Sequence, residues 1–187
     1  MLKYKKNCNE YIFFWVYTNK KGGIMEKIYE EYSKYVFNYL LSFTNNAETA
    51  EELMQETFYS VIKNIHKFRN ESSLKTWIYK IAKNKLIDYY KKNKKIKEIG
   101  INEVNEKLLL INSFEEDCND RDELINVYKK IHKLDEKSKE VVYLRTKCEF
   151  TFKEIGSIMQ KSEEWARITF YRAKIKLKED FENEQKL

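Results

Sequence analysis

The chain contains no proline and only four glycines among its 187 residues. Proline and glycine interrupt helices and shape the tight turns on which β-architectures depend. Lysine, glutamate and leucine, which are good helix formers, are abundant instead. A chain of this length can form one ordinary domain or two small ones. We therefore expect an all-α fold built from two small helical domains.

Regular helical spacing of apolar residues begins near Met25. One stripe, at intervals of three and four, predicts a first helix that ends near Asn45 and Asn46; it contains Ile28, Tyr32, Tyr35, Val36, Tyr39, Leu40 and Phe43. Asn45 is the expected N-cap of a second helix, and Glu48 completes a capping box. The predicted buried face of that helix contains Leu53, Met54, Phe58, Val61, Ile62 and Ile65.

Residues 1–24 lack this helical pattern and end in Lys20, Lys21, Gly22, Gly23 and Ile24, directly before Met25. Written in A-rich codons, that peptide corresponds to a purine-rich ribosome-binding site in front of a start codon. We expect Met25 to be the true first residue and residues 1–24 to be a non-native or disordered leader. A translated, disordered tail is the alternative.

The second helix carries a polar face that is separate from its buried face. Glu52, Gln55, Glu56 and Tyr59 recur at positions i, i+3, i+4 and i+7 and should point outward together. Spacing alone allows a solvated surface as well as a surface that binds a protein.

A third helix is predicted from Leu74 to Asn93. Between Lys75 and Lys97 there are nine lysines and one acidic residue, Asp88, with aromatic residues interleaved at Trp77, Tyr79, Tyr89 and Tyr90. Lysines neutralise phosphates and aromatic faces can stack on unpaired bases, so the mixture suits partly opened DNA. The helical spacing of Trp77, Ile78, Ile81, Ala82 and Leu86 also fits ordinary core packing.

Residues 97–122 interrupt the helical pattern and lead into an acidic stretch, in which six of the nine residues 115–123 are Asp or Glu. Such a composition is typical of a solvated, flexible linker. We therefore expect domains at residues 25–96 and 123–184, joined by an acidic linker at 97–122.

The second domain has the sequence pattern of a helix-turn-helix. Asp135 can cap one helix, and Thr151 and Glu154 form a capping box for the next. A turn follows at Gln160. Ser162 can then cap a last helix from Glu163 to about Lys178. From Trp165 to Lys178 there are five basic residues and no acidic residue. Candidate contacts to DNA bases and phosphates are Arg167, Ile168, Thr169, Tyr171, Arg172, Lys174 and Lys176, whereas Trp165, Ala166 and Phe170 should face inward. A solvated basic helix without a partner is the alternative.

No pattern for catalysis or for a cofactor is present. The three cysteines and two histidines are scattered without ligand spacing, and there is no glycine-rich phosphate loop or nucleophile–base arrangement. We expect no metal, no cofactor, no small-molecule substrate and no enzymatic activity. The scattered, odd set of cysteines fits a reducing cytoplasm.

Four blocks of the sequence resemble a known family: AEELMQETF, FRNESSLKTWIYKIAKNKLIDYYKK, LDEKSKEVVYLR and FTFKEIGSIMQKSEEWARITFYRAK. Their order and spacing resemble sigma-70-type initiation factors of the small extracytoplasmic-function (ECF) class. The resemblance covers residues 25–180. It implies a factor that binds core RNA polymerase, directs it to promoter DNA and assists promoter melting.

The resemblance also implies roles for individual residues. The helix with Glu52, Leu53, Gln55 and Glu56 corresponds to the segment that binds the polymerase clamp. Residues expected to capture bases of the minus-10 element are Phe68, Arg69, Asn70, Lys80, Lys83 and Asn84. The helix-turn-helix corresponds to the domain that reads the minus-35 element, and a membrane-linked anti-sigma factor is an expected partner. Trp165, Ala166 and Thr169 depart from common family residues, so the minus-35 sequence cannot be transferred from relatives.

Two other classes fit parts of the same pattern. One is a polymerase-independent helix-turn-helix repressor or activator in which residues 25–95 serve dimerisation or ligand sensing. The other is an adaptor that binds only proteins.

Overall fold

The computed structural model describes residues 22–93, 127 and 129–184. This part of the chain contains helices, turns and short connections and no strand, which confirms the predicted all-α fold. The chain divides into two compact units, Met1–Ile101 and Asn102–Leu187. The predicted linker at 97–122 and residues 1–21 of the predicted leader at 1–24 fall outside the described residues, whereas residues 22–24 of that leader lie in the first helix.

The described residues of the first unit form three α-helices and one short 3₁₀ helix. Helix α1 is Gly22–Thr44, α2 is Ala47–Asn64, the 3₁₀ helix is Ile65–Lys67 and α3 is Leu74–Asn93. The predicted bounds of the third helix are confirmed. The predicted apolar faces of α1 and α2 meet α3 in one core, whose fully buried members include Val36, Tyr39, Leu40, Val61, Ile78 and Ala82. Tyr35 is an exception, since it is 56% exposed instead of belonging to the buried stripe of α1.

The junction of α1 and α2 differs from the predicted one by one residue. Asn45 adopts a left-handed conformation, with φ of 51°, and its backbone N–H donates to the Leu41 carbonyl at 3.0 Å. Because Asn45 thus ends α1, the N-cap of α2 is Asn46, whose side chain accepts from the Thr49 N–H at 2.9 Å. The residue three positions after this cap is Thr49, so the predicted capping box with Glu48 was wrong.

Two of the aromatic residues interleaved with the lysines of α3 contact residues of α1. Tyr79 is fully buried, with its ring centroid 5.3 Å from that of Tyr39 on α1. The Tyr90 hydroxyl donates to the carbonyl of Phe43 at the end of α1. Tyr79 is therefore not a stacking surface for bases, because α3 uses this ring to pack against α1.

Within the described ranges, the second unit has a helical segment at 129–132 and three longer helices. Helix α4 is Glu136–Thr146, α5 is Phe152–Met159 and α6 is Glu163–Glu184. The predicted cap at Asp135 is confirmed, since its carboxylate accepts from the N–H groups of Lys137 and Ser138, both at 3.1 Å. The predicted capping box of Thr151 and Glu154 is also present.

The turn between α5 and α6 confirms the predicted helix-turn-helix plan. Gln160 ends α5 in a left-handed conformation, with φ of 55°. A Cβ atom on Gly156 would lie 2.8 Å from the Lys161 carbonyl oxygen, so only glycine lets the turn approach α5 this closely. The Ser162 hydroxyl then accepts from the Trp165 N–H at 3.1 Å and caps α6.

Helix α6 continues to Glu184, beyond the predicted end near Lys178. The reason lies in Lys130, whose side chain is almost completely buried at 1% exposure. Its ammonium group donates to the Asp180 carbonyl at 2.8 Å and lies 4.2 Å from the centroid of the Phe181 ring. These contacts hold the acidic last turns of α6 against the segment at 129–132.

Candidate protein and nucleic-acid surfaces

The outward face of α2, formed by Glu52, Gln55, Glu56 and Tyr59, is here called the α2 surface. Glu52 and Glu56 are exposed, Gln55 is half-buried and Tyr59 is 61% exposed. Leu53, which the family resemblance included in the polymerase contact, is only 6% exposed. It therefore lies in the core and supports the α2 surface from beneath.

The carboxylates of the α2 surface have different surroundings. Glu56 forms an ion pair with Lys85 of α3 at 3.2 Å, and the Gln55 amide donates to Glu51 at 3.2 Å. Glu52 makes neither an ion pair nor a side-chain hydrogen bond with any described residue. The surface therefore presents solvated acceptors beside an exposed aromatic ring, an arrangement suited to a basic and partly apolar protein partner.

The loop between the 3₁₀ helix and α3 carries three predicted minus-10 residues. Phe68 is half-buried, with its ring centroid 5.4 Å from that of the half-buried Trp77. Arg69 and Asn70 are exposed, and Asn70 has a left-handed φ of 57°. The loop thus presents a cation and an amide next to a partly covered aromatic pair.

Helix α3 continues this region with the other three predicted minus-10 residues. Lys80, Lys83 and Asn84 lie on one face at spacings of three and four, and Asn84 is exposed while the two lysines are half-buried. The Asn84 amide has no hydrogen-bond partner among the described residues. Both its donor and its acceptor are therefore available to a base edge.

Helix α6 separates its buried and exposed residues as predicted. Ala166 and Ala173 are buried against the rest of the unit, while Trp165 and Phe170 are half-buried. Of the predicted minus-35 residues, Thr169 is half-buried and the other six are exposed: Arg167, Ile168, Tyr171, Arg172, Lys174 and Lys176. Ile168 and Tyr171 expose 42% and 52% of their surface, which gives the basic face an apolar component.

Three side chains near Arg167 were not identified from the sequence. Glu163 accepts from the Arg167 guanidinium at 2.8 Å, and the Phe152 ring lies beneath the guanidinium groups of Arg145 and Arg167. Glu163 and Arg167 are four residues apart, so the sequence offered a signal for that pair. Phe152, Arg145 and Arg167 come from three helices, and no local spacing predicts their meeting.

The described residues contain no group of three His, Cys, Asp or Glu side chains that could hold a metal ion. None of the helices in the described ranges is both long enough and apolar enough to cross a membrane. Cys148 is buried and forms no disulfide with a described residue.

Comparison with known families gives two matches, one for each unit. Residues 28–96 match Sigma-70 region 2, and residues 131–179 match Sigma-70, region 4. The first match contains the α2 surface and α3, and the second contains the helix-turn-helix.

Similar proteins were found among curated sequences and solved structures. The RNA polymerase sigma factor YlaC of Bacillus subtilis is 29% identical over 86% of this chain and 94% of its own length. The ECF RNA polymerase sigma factor SigM of the same organism is 31% identical over 82% of this chain and 93% of its own length. The sigma factor RpoE from Bartonella quintana, solved with the anti-sigma factor NepR, has a TM-score of 0.66 at 17% identity and covers 82% of this chain and 94% of that one. CnrH, solved with the cytosolic domain of CnrY, has a TM-score of 0.63 at 17% identity. The match covers 90% of this chain and 92% of that one.

Proposed function

The chain belongs to the sigma-70 family of RNA polymerase sigma factors, in its extracytoplasmic-function class, and we propose from this how its two units divide the work of transcription initiation. The protein is a transcription initiation factor that binds core RNA polymerase, directs it to promoters and assists melting. We assign polymerase and minus-10 binding to residues 25–96, minus-35 binding to residues 123–184, and the connection between them to residues 97–122.

The polymerase contact is assigned to the α2 surface. Its two exposed glutamates and the 61% exposed Tyr59 form a polar and aromatic patch that the fold of the first unit does not need for its own core. Glu52 and Glu56 would pair with basic groups of the polymerase, and Gln55 would add a hydrogen bond. Leu53 keeps the helix in place beneath them.

The minus-10 contact is assigned to the 68–73 loop and to α3. Asn84 offers to a base edge an amide that forms no hydrogen bond with the described residues. Lys80 and Lys83 are placed to neutralise phosphates, and Arg69 and Asn70 extend from the loop. The half-buried pair of Phe68 and Trp77 supplies an aromatic surface beside them. This combination suits single-stranded bases better than closed duplex DNA.

The minus-35 contact is assigned to α6, the second helix of the helix-turn-helix. In this motif the second helix enters the major groove and its first turns approach the base edges. Arg167, Ile168, Thr169 and Tyr171 lie in that part of α6, whereas Arg172, Lys174 and Lys176 follow along the helix and suit phosphates. Ile168 suits the methyl group of a thymine.

We propose that the factor itself breaks no covalent bond and acts by binding alone. Taking a base out of the duplex costs a few kcal/mol, and a good stacking contact on an aromatic side chain returns roughly 1 to 3 kcal/mol. Capture of a few bases by the first unit can therefore favour the open form once polymerase and the minus-35 contact hold the DNA in place. We place this activity in the cytoplasm.

A membrane-linked anti-sigma factor is the proposed regulator. Two solved relatives of the same fold are held in complexes, one with the anti-sigma factor NepR and the other with the cytosolic domain of CnrY. A partner of this kind would act on the present chain by covering the α2 surface or α6, because both are exposed and both are needed for holoenzyme function.

The observation that carries the proposal is that one chain contains both an exposed carboxylate surface in a Sigma-70 region 2 unit and an exposed basic helix in a region 4 unit. Run-off transcription with purified core polymerase and genomic promoter fragments tests it. We expect transcripts that begin at defined sites only when the full chain is added. A chain that shifts duplex DNA by itself but supports no transcript would instead be a polymerase-independent helix-turn-helix regulator.

A further inference from the structure

The aromatic ring of Phe152, the first residue of α5, meets two arginines from other helices. The guanidinium carbon of Arg145 on α4 is 5.0 Å from the ring centroid, and that of Arg167 on α6 is 5.6 Å from it. Both distances lie within the roughly 6 Å at which a cation is attracted to an aromatic face. Three helices of the second unit therefore converge on this ring.

The ring is held in place by contacts that do not involve Arg167. Its centroid lies 5.6 Å from the Phe170 ring and 6.3 Å from the Tyr171 ring. Arg145 is also fixed, because its Nη1 donates to the Phe150 carbonyl at 2.9 Å. The Phe152 ring thus has contacts within the unit that are independent of Arg167.

Arg167, in contrast, extends from the exposed face of α6. Its side chain is 54% exposed, and its hydrogen-bonded partner is Glu163 at 2.8 Å. A long arginine side chain has many rotamers in solution, and ordering them opposes binding. The Phe152 ring and the Glu163 carboxylate restrict that freedom before DNA arrives.

We propose that Phe152 is a positioning residue for promoter recognition, whose ring holds the Arg167 guanidinium in an orientation ready to bind a guanine edge in the minus-35 element. This inference rests on the proposed function of α6. A cation over an aromatic ring uses its planar face for the ring, while the N–H groups of arginine point outward in the plane of the guanidinium. Two of those N–H groups can donate to O6 and N7 of one guanine, the commonest specific contact in the major groove.

Glu163 completes the arrangement as the resting partner of Arg167. An exposed pair four residues apart on a helix is weak, so DNA can displace the carboxylate at little cost. Phe152 is not displaced in this way, because its half-buried ring also contacts the rings of Phe170 and Tyr171. The ring therefore keeps its contact with Arg167 in the bound state, and Glu163 does not.

The test compares Phe152→Leu with Phe152→Tyr in the full chain, bound to core polymerase. Each holoenzyme is titrated against promoter duplexes in which every base pair of the minus-35 element is replaced in turn, and the ratio of affinities at each position gives the base preference. We expect Phe152→Leu to reduce the preference at one G·C pair roughly two- to fivefold, the effect of one partly exposed cation–π contact. Phe152→Tyr, which keeps the ring, should retain the preference.

A double substitution separates positioning from general stability. In an Arg167→Ala background, Phe152→Leu should change the preference no further, because the group that it orients is already absent. If Phe152→Leu weakens binding to all duplexes equally and leaves the preference intact, Phe152 is only a packing residue and the proposal is overturned. If Phe152→Leu fails to fold, Phe152→Met takes its place. It should likewise reduce the base preference, and uniformly weaker binding with an intact preference would again overturn the proposal. Wild-type holoenzyme that shows no promoter preference would contradict the proposed function itself, which is a separate outcome.

Discussion

Glu56 on α2 and Lys85 on α3 form an ion pair of 3.2 Å that joins two helices at the edge of the α2 surface. Their side chains are 56% and 30% exposed, and such pairs contribute at most about 1 kcal/mol to stability. Glu56 can therefore exchange this partner for another without loss of the fold. Glu52, one turn earlier on the same face, has no ion pair within the described part of the chain.

Replacing both carboxylates, as Glu52→Lys with Glu56→Lys, should abolish binding to core polymerase. The change reverses the charge of the α2 surface and places a second ammonium group beside Lys85, yet it leaves the buried face of α2 untouched. Co-purification of the full chain with core polymerase is the measurement, with circular dichroism to confirm an intact helical fold.

The matched control is Glu26→Lys with Glu30→Lys on α1. These residues are also exposed and four positions apart, so the change in charge and spacing is the same. We expect the control to bind polymerase normally. Normal co-purification of the α2 double variant would contradict the assignment of this surface.

Arg167→Ala should weaken binding to the preferred promoter by about 1 to 3 kcal/mol and relax the preference at one minus-35 base pair. Lys176→Ala should instead weaken binding to all sequences about equally and lower its salt dependence, because a phosphate contact carries no sequence information. Competition binding of the holoenzyme at two salt concentrations distinguishes the two variants. An unchanged base preference in Arg167→Ala would count against its role.

Asn84→Ala should reduce capture of the minus-10 strand while leaving stability unchanged. The amide is exposed and makes no hydrogen bond to the described residues, so its loss should change the free energy of unfolding by less than about 0.5 kcal/mol. Affinity of the holoenzyme for a single-stranded minus-10 oligonucleotide should fall by about 1 kcal/mol, the net value of a hydrogen bond. Equal affinities for the two proteins would remove Asn84 from the contact.

Gly156→Ala should destabilise the second unit by about 1 to 3 kcal/mol, because the new methyl group would meet backbone atoms that cannot move aside. The Cβ would lie 2.8 Å from the Lys161 carbonyl oxygen and 2.9 Å from the Ser162 carbonyl group. Gly23→Ala is the matched control, since no atom of the described residues lies within 4 Å of its Cβ. Thermal unfolding should show a lower melting temperature for Gly156→Ala alone. Similar melting temperatures for both variants would contradict the close packing of the turn against Gly156.

Asp135 should stabilise α4 in a manner that depends on pH. A hydrogen bond from the Ser138 side chain is the main cause that lowers the pKa of this carboxyl below its ordinary value of 3.8, and backbone N–H groups add to it. Because the folded pKa is the lower one, the contribution is present above pH 3.8 and is lost as the pH falls through the folded pKa. Asp135→Asn keeps a capping oxygen without the charge, so the stability gap between wild type and variant should close on acidification. A gap that stays constant in unfolding curves down to low pH would contradict this.

Helix bounds, caps and turns formed by residues close together in the sequence could be predicted from the sequence. The bounds of α3, the cap at Asp135, the capping box at Thr151 and the turn at Gln160 all follow from side chains and backbone within a few residues of each other. The α1–α2 junction shows the limit of such reasoning. Asn45 and Asn46 are equally good caps by type, and the choice is made by the left-handed conformation with which Asn45 ends α1.

Contacts between distant residues could not be predicted from spacing. Tyr79 belongs to a lysine-rich helix that suits DNA, yet its ring is buried against Tyr39, forty residues earlier. Lys130 holds the acidic end of α6 through Asp180 and Phe181, so that helix extends beyond the predicted end. For the candidate site, the exposed faces of α2 and α6 were predictable from periodicity, whereas the Phe152 cluster needed the folded chain.

The central claim is that this one chain binds core polymerase and promoter DNA at the same time. Native mass spectrometry of the full chain mixed with core polymerase and a promoter duplex tests it most directly. We predict a species whose mass is the sum of all three components and which is absent for the Glu52→Lys, Glu56→Lys variant. A spectrum in which the chain is found only on DNA, with polymerase unoccupied, would contradict the account.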